Sequence, residues 1–305
     1  MAIVSGLLLL ALASCSAVQT KEVLHERKQL PVRATVEDVP FFPQEKYYCG
    51  PAALAMVLAW SDVPVIQDDL VSQVYTPSRQ GTLRSDVLAA ARRHGRLAVQ
   101  VGNLRDLLSE IAAGHPVVVF QNLAFGWFPQ WHYAVAFAYD LEAREIVLRS
   151  GLNEQRVLDL STFERTWERG EYWAVVVLPP ERLPASAGEP AVLEAAVSLE
   201  RVEKFSEAST AYAAIVERWP QSFPPRIGLG NSLYAVGDYI GAERAYREAV
   251  RRHPEAAAAW NNLAYALAAQ GRRDEALRAA RKAVRLRSED EAYRDTLREL
   301  SSEES

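Results

Sequence analysis

The residues best placed to do chemistry surround Cys49, one of two cysteines in a chain of 305 residues. Within "QEKYYCGPAALAMVL", Cys49 stands directly before an apolar run, where a helix is expected to begin. Pro51 suits the first turn, because its missing N–H would have had no partner inside the helix. Free N–H groups and the helix dipole should lower the pKa of the thiol. The sequence therefore predicts a nucleophile, and an inert cysteine packed under Tyr47 and Tyr48 is the alternative.

A thiolate nucleophile also needs an oxyanion donor and a general base. Gln44 precedes Cys49 by five residues, so its side-chain amide and the Cys49 N–H are predicted to hold the oxyanion. Gly50 allows a second backbone or a substrate to approach this turn closely. Among five histidines, His132 opens a predicted strand after the aromatic loop "AFGWFPQW". It is the candidate base, and a core histidine bonded to backbone is the alternative.

The predicted elements indicate an α+β fold for this part of the chain. Helical periodicity and helix stop signals dominate up to Gly114. Runs of β-branched and aromatic residues with strand length follow: "PVVVFQN", "HYAVAFAYD", "EIVLRS" and "YWAVVVLP". Helices followed by strands are typical of an α+β domain.

The two motifs together resemble a known family. Gln44-(x)4-Cys49-Gly50-Pro51-Ala-Ala, followed by His132-Tyr-Ala-Val-Ala-Phe-Ala-Tyr-Asp, is similar to the papain-like cysteine peptidases that remove double-glycine leaders from bacteriocins, and to their stand-alone relatives. The resemblance implies a papain-like domain over residues 38–178. It also implies that the cysteine is the nucleophile, the histidine the general base, and the glutamine part of the oxyanion hole. An amidase or transpeptidase would use the same residues.

The third residue of the family's site differs in this chain. The family has Asp, usually followed by Pro, at the end of the strand after the histidine strand, where this chain has Ser150-Gly151. A serine hydroxyl can accept from the imidazole Nδ1–H, but it supplies no charge to stabilise an imidazolium. Asn153 is the alternative orienting residue, since papain itself uses Asn. Asp140 is expected in a hairpin turn, too far along the strand from His132.

Aromatic residues beside His132 offer a surface for a substrate. Trp127, Phe128 and Trp131 are predicted to line a substrate groove, and packing under the domain is the alternative. No cofactor is expected. No metal site is predicted either, because the chain has no His-x-x-x-His or paired-cysteine motif. "Gly228-x-Gly230" falls inside a predicted repeat helix, so it is not interpreted as a phosphate loop.

The first residues predict export. "MAIVSGLLLLALASC" is uncharged, and its apolar run is far shorter than the roughly 20 residues that span a bilayer. Residues 1–14 are therefore predicted to be a signal peptide. Leu12-Ala-Ser-Cys15 resembles the bacterial lipobox, which implies lipid on Cys15, and a plain secretory signal is the alternative. We expect a polar tether over residues 15–37. In related lipoproteins, Asp after the cysteine signals retention in the inner membrane. Because this chain has Ser16 there, the resemblance implies an outer-membrane location facing the periplasm.

The chain beyond the prolines of residues 179–190, a predicted linker, repeats itself. Phe205-x-x-Ala-x-x-x-Tyr212 recurs after 34 residues as Tyr239-x-x-Ala-x-x-x-Tyr246, and a third copy follows. The pattern resembles the tetratricopeptide repeat and predicts an all-α array of three repeats with a capping helix over residues 191–305.

In the tetratricopeptide family, the first helix of each repeat lines a concave groove. The register of this chain places two asparagines and two tyrosines there: Asn231, Tyr234, Asn261 and Tyr265. Their neutral side chains are predicted to bind an extended or helical protein segment rather than a terminal carboxylate. Repeats that merely stabilise the fold are the alternative.

The charge composition of the chain argues against one class of partner. The chain is 24% charged with a net charge of −5, so nucleic-acid binding is not predicted. The leading prediction is a membrane-anchored cysteine peptidase that hydrolyses a peptide or protein substrate and binds a protein partner through its repeats. The alternative is a papain-like lipoprotein with little or no activity that serves as an envelope scaffold or binding protein.

Overall fold

The computed structural model describes residues 17–26, 30–44 and 47–302. The predicted signal peptide and Cys15 lie outside the described residues. The elements of the first domain are, in chain order, α1 (Val18–His25), β1 (Arg33–Thr35), α2 (Cys49–Trp60), α3 (Gln67–Val74), β2 (Tyr75–Thr76), β3 (Gly81–Thr82), α4 (Arg84–Arg93), β4 (Leu97–Val101), α5 (Leu104–Ala112), β5 (Val117–Asn122), β6 (Trp131–Asp140), β7 (Glu145–Ser150), β8 (Asn153–Asp159), α6 (Leu160–Glu168) and β9 (Ala174–Leu178).

The second part is helical. Its helices are α7 (Glu189–Glu200), α8 (Phe205–Arg218), α9 (Pro224–Ala235), α10 (Tyr239–Arg252), α11 (Ala257–Ala268), α12 (Arg273–Leu286) and α13 (Glu291–Ser302). None of the helices in the described ranges is long and apolar enough to cross a bilayer.

An antiparallel sheet organises the first domain, which confirms the α+β prediction. Its strand order is β4-β9-β5-β6-β7-β8, and β1 also pairs with β6. Because β4 and β5 both run antiparallel to β9, they point the same way. Both therefore finish at the end of the sheet where β6 begins. We call this the His132 end, since His132 is the second residue of β6.

The core of the domain forms around α2. Residues 52–58 of this helix are fully buried, as expected for a helix that is apolar on every side. The helix packs against β6 and β5, whose buried residues include the run Val117–Val119. This packing holds the first residue of α2, Cys49, beside the sheet.

Contrary to the prediction of a polar tether over residues 15–37, much of that segment is folded. Val23 of α1 is only 2% exposed. The buried Glu164 carboxylate accepts the Gln19 and Thr20 amides at 3.0 and 2.7 Å. Composition concealed this arrangement, because the stabilising acceptor lies more than 140 residues away. One buried carboxylate, that of Glu164, thus binds the first amides of the mixed-charge helix α1 and holds it against the domain.

The proline-rich segment 179–190 is pinned to the first domain. The fully buried Glu110 accepts from the backbone amides of Ala185 and Ser186 at 3.1 and 2.7 Å. It also pairs with His115 Nδ1 at 2.7 Å. On the other side, Arg218 of α8 donates to Pro184 O at 2.5 Å. The segment is thus hydrogen-bonded to both parts of the chain.

The repeats form paired helices, as their sequence predicts. Gly228 and Gly230 lie within α9, where an added Cβ would collide with the rings of Tyr212 and Tyr246. The buried residues of α7 and α8 belong to the same apolar cluster as the first domain. Residues of α10–α13 form a second cluster. The first repeat therefore continues the core of the first domain.

Candidate active site

Cys49 opens α2 and is partly buried. Backbone groups of Tyr133 and Gly50 hydrogen-bond to its thiol. Since Tyr133 follows His132 directly in β6, the fold brings the sulfur to the start of the strand that carries the candidate base. The contacts among the described residues include no direct thiol–imidazole hydrogen bond.

His132 is oriented by Ser150. Its Nε2 lies 2.9 Å from Ser150 Oγ, and Ser150 is only 1% exposed. The sequence predicts a bond from Nδ1 to the serine, but the bond uses the opposite ring nitrogen. Asn153 is exposed and is the cross-strand neighbour of Ser150. Since Ser150 engages Nε2, Nδ1 is the ring nitrogen that a thiol or substrate would have to use.

Burial governs the protonation of both groups. Burial raises the pKa of the Cys49 thiol, although backbone hydrogen bonds from Tyr133 and Gly50 act in the opposite direction. Burial, followed by the charge of Arg156, lowers the pKa of His132 to about 4. Both shifts run against the thiolate predicted from the helix terminus, because desolvation disfavours the charged form of each group. They favour a thiol beside a neutral imidazole as the starting pair.

Hydrogen bonds to Gly151 hold Gln44 in place, and its side-chain Nε2 has no partner among the described residues. Its backbone N–H donates to Gly151 O and its Oε1 accepts from Gly151 N–H, both at 3.0 Å. The side chain is 7% exposed, and Nε2 is buried without a hydrogen-bond partner in the described part of the chain. An unpaired buried donor is costly, whereas a donor held in advance is what an oxyanion requires. The sequence predicted Gln44, but it did not reveal that Gly151 positions it.

Thr82 is a neighbour of the site that the sequence did not indicate. A Cβ added to Gly50 would collide with the Thr82 side chain, so the glycine accommodates Thr82 rather than another backbone. Tyr133 Oη donates to Thr82 O at 3.2 Å. The Thr82 hydroxyl is buried without a partner among the described residues. Because β2 and β3 have two residues each, no sequence periodicity marked this contact.

The aromatic loop before His132 is exposed, so the alternative that it packs under the domain is wrong. Trp127, Phe128 and Trp131 are 84%, 72% and 50% exposed. Trp131 stacks on Phe120 with ring centroids 5.1 Å apart. Trp127 stacks on Phe125 at 5.7 Å, farther out in the loop. Trp131 thus packs against the sheet at the start of β6, whereas the other rings form the tip of the loop.

The four predicted groove residues of the repeats have different surroundings. Asn231 is exposed, and its Oδ1 accepts from Tyr246 Oη and Asn262 Nδ2 at 2.7 and 2.9 Å. Asn261 is only 8% exposed, so its side chain is not presented on an open groove. Asn262 stands beside Asn231 in its place.

The two tyrosines are half-buried and each meets a neighbouring helix. Tyr265 Oη lies 3.0 Å from Thr296 Oγ1 on α13. The Tyr234 ring packs against Tyr239 with centroids 5.1 Å apart.

In the described ranges, no group of three His, Cys, Asp or Glu side chains is placed to hold a metal ion.

Family models match both parts of the chain. Residues 36–175 match the Peptidase_C39 like family, and residues 227–291 match the tetratricopeptide repeat. These matches confirm the resemblances to the cysteine peptidase family and to the tetratricopeptide repeat. No curated protein matches the chain.

Solved structures resemble each part separately. A protein from Bacillus anthracis assigned as a C39-like peptidase is 18% identical, with 48% of this chain and 97% of that chain covered and a TM-score of 0.42. The Yersinia enterocolitica secretion chaperone SycD, solved with a peptide of YopD, is 16% identical, with 37% and 92% covered and a TM-score of 0.36. MamA is 20% identical, with 38% of this chain and 65% of MamA covered and a TM-score of 0.36.

Proposed function

We propose, given that residues 36–175 form a Peptidase_C39 like domain and residues 227–291 form tetratricopeptide repeats, that this protein is a cysteine peptidase. Cys49 is the nucleophile, His132 the base and Gln44 an oxyanion donor. One observation carries the proposal: Gln44 Nε2 is buried, held in one orientation through Gly151, and unpaired among the described residues. A purely structural glutamine would be expected to satisfy this donor.

The reaction begins from the neutral pair. The Cys49 thiol gives its proton to Nδ1 of His132 as Sγ bonds to the peptide carbonyl carbon. The carbonyl oxygen becomes an oxyanion, which accepts from Gln44 Nε2 and from the Cys49 N–H. The C–N bond then breaks, and the leaving amine takes the proton from Nδ1. Water hydrolyses the thioester by the same proton transfers in reverse.

Ser150 acts as a positioning residue. Its hydroxyl holds Nε2, so that Nδ1 faces the thiol side of the ring, and it adds no charge. The imidazolium formed during the reaction therefore lacks a carboxylate partner at this position. We expect a slower acylation step than in a site with Asp at residue 150.

The remaining parts of the proposal concern location and partners. We propose that Cys15 carries lipid and holds the protein at the outer membrane on its periplasmic side, as the lipobox-like segment indicates. We also propose that the groove of the repeats binds a protein segment through Asn231 and Asn262, whose side chains share a hydrogen bond.

The competing candidate is an inactive scaffold. Two observations favour it: burial raises the pKa of Cys49, and Ser150 stands where the family has Asp. A peptidyl acyloxymethyl ketone, which alkylates a thiol positioned beside a bound peptide, distinguishes the two. We expect labelling of Cys49 that falls on His132→Ala. Labelling no faster than that of free cysteine, and unchanged in the variant, would support the scaffold.

A further inference from the structure

The loop between β5 and β6 projects an uncharged aromatic surface. We call residues 123–130 the aromatic hairpin. At its tip, Phe125, Trp127 and Phe128 are 67%, 84% and 72% exposed. The chain from residue 116 to residue 139 contains no Asp, Glu, Lys or Arg. Such a concentration of exposed aromatic surface is typical of a site that contacts another molecule or a membrane.

The aromatic hairpin is held in this exposed form. Asn122 Oδ1 accepts from the amides of Ala124 and Gln130 at 3.1 and 2.9 Å. Leu123 N–H donates to Gln130 O at 2.9 Å. These bonds close the base of the loop, and the stacked pair of Phe125 and Trp127 supports its tip. The rings therefore point outward before any contact is made. Little conformational entropy of the loop would be lost on binding.

The start of α1 lies at the same end of the sheet. The Gln19 side chain accepts from the Leu104 amide at 2.6 Å and hydrogen-bonds to Tyr172. The backbone carbonyl of Trp173, which follows Tyr172, accepts from the Phe120 amide at 3.0 Å. This bond lies close to the base of the aromatic hairpin. Leu104 opens α5 shortly after β4 ends. The chain thus enters α1 at the His132 end.

This placement leaves little chain between a lipid on Cys15 and the domain. Ala17 is buried, at 5% exposed, and Ser16 is the single residue between the two. A lipid at Cys15 would hold the His132 end within a few residues' reach of the bilayer. Such tethering raises the effective concentration of the aromatic hairpin at the bilayer. Trp and Phe side chains are well suited to the membrane–water interface.

From these observations, and resting on the proposed peptidase function and lipid anchor, we infer that the tip of the aromatic hairpin inserts into the bilayer interface. The active site then faces the membrane surface. Its substrate class is peptide segments that lie at that surface, such as the juxtamembrane parts of other membrane-attached proteins. Trp131, stacked on Phe120, remains on the sheet.

Vesicle partition of the chain from Ser16 onward, which retains every described residue, tests this inference. The probes are vesicles of phosphatidylethanolamine and phosphatidylglycerol, with brominated lipids for contact quenching of tryptophan. The hairpin variant carries Trp127→Ser and Phe128→Ser. The matched control is Ile240→Ser, which removes an apolar side chain that is 62% exposed on the repeats. Far-UV circular dichroism confirms that each variant is folded.

We expect the wild type to partition into vesicles and to be quenched by brominated lipid. The hairpin variant should lose about tenfold or more in the partition coefficient, while Ile240→Ser stays close to wild type. Absence of wild-type partition, or equal partition of all three proteins, would overturn the inference. So would a hairpin variant that partitions normally but raises the KM for a soluble peptide, because the hairpin would then bind substrate. Cys49→Ala, which reports on the peptidase proposal, should partition like wild type.

Discussion

Replacing Ser150 by Asp should convert the neutral site into one that favours an imidazolium. Ser150 Oγ lies 2.9 Å from His132 Nε2, and the pKa of His132 is lowered to about 4. Ser150→Asp places a carboxylate beside that nitrogen. The perturbation therefore tests whether a charge beside Nε2 can offset the burial that keeps the imidazole neutral.

The magnitude follows from the separation of the charges. Opposite unit charges about 4 Å apart attract by about 4 kcal/mol at an effective dielectric constant of about 20. One pKa unit corresponds to about 1.36 kcal/mol, so the upper limit is a rise of about 3 units. Because Ser150 is 1% exposed, desolvation of the new carboxylate opposes the gain. We expect the pKa of His132 to rise by about 1 to 3 units.

The sign of the effect can be checked at two groups. A raised pKa keeps His132 protonated to higher pH, and the imidazolium in turn stabilises the Cys49 thiolate. Histidine NMR titration should show the upward shift, with the His132→Ala variant used for assignment. Iodoacetamide alkylation near pH 6 to 7 should become faster than in wild type. Ser150→Asn is the control, because it matches the size of Asp without the charge.

A His132 pKa that stays the same in Ser150→Asp, or moves equally in Ser150→Asn, would refute the reasoning. Either result would mean that the position of the ring, rather than the charge beside Nε2, sets its protonation. Faster alkylation of Cys49 without a shift in the pKa of His132 would also contradict the proposed coupling. The thiol would then respond to the new charge independently of the imidazole.

Three further outcomes follow from the described contacts. Gln44→Ala should lower kcat by about 100-fold to 1,000-fold. The change in unfolding free energy should be about 1 kcal/mol, since only the bond from Gly151 N–H to Oε1 is lost and Nε2 is unpaired among the described residues; a large loss of stability with normal kcat would contradict this. Hydrogen bonds from His115 and Ser186 outweigh burial and lower the pKa of Glu110, so its contribution to stability is present above about pH 4.3 and lost as the pH falls through the folded pKa. Glu110→Gln should cost about 2 kcal/mol at neutral pH and flatten the acid side of the thermal stability profile; an unchanged profile would exclude this role. Gly50→Ala should lower the melting temperature because its Cβ would meet Thr82, and the double variant with Thr82→Gly should recover part of the loss.

Local patterns in the sequence were sufficient to predict most of the fold. The apolar run after Cys49 predicted α2, the β-branched runs predicted β5, β6, β7 and β9, and the repeat register predicted the helix pairs. Strand β8 was missed because it is largely exposed and polar. Helix α1 was missed because its stabilising partner, Glu164, is distant in sequence. Hydrophobic periodicity indicates only which residues of a segment are buried in the core. It therefore could not predict β8 or α1.

The site was predicted less completely than the fold. The motif residues were recognisable because their types and spacing are specific to one chemistry. The protonation of Cys49 and His132 could not be predicted, because it depends on desolvation by residues brought together only by folding. For the same reason the sequence did not reveal that Gly151 holds Gln44 or that Thr82 packs on Gly50.

Digestion of a defined peptide library, analysed by mass spectrometry, tests the central claim most directly. The chain from Ser16 onward is compared with its Cys49→Ala and His132→Ala variants, all shown to be folded. The account predicts discrete cleavage products from the wild type that disappear with Cys49→Ala and fall steeply with His132→Ala. Intact peptides after incubation with the wild type, or products that persist in Cys49→Ala, would contradict it.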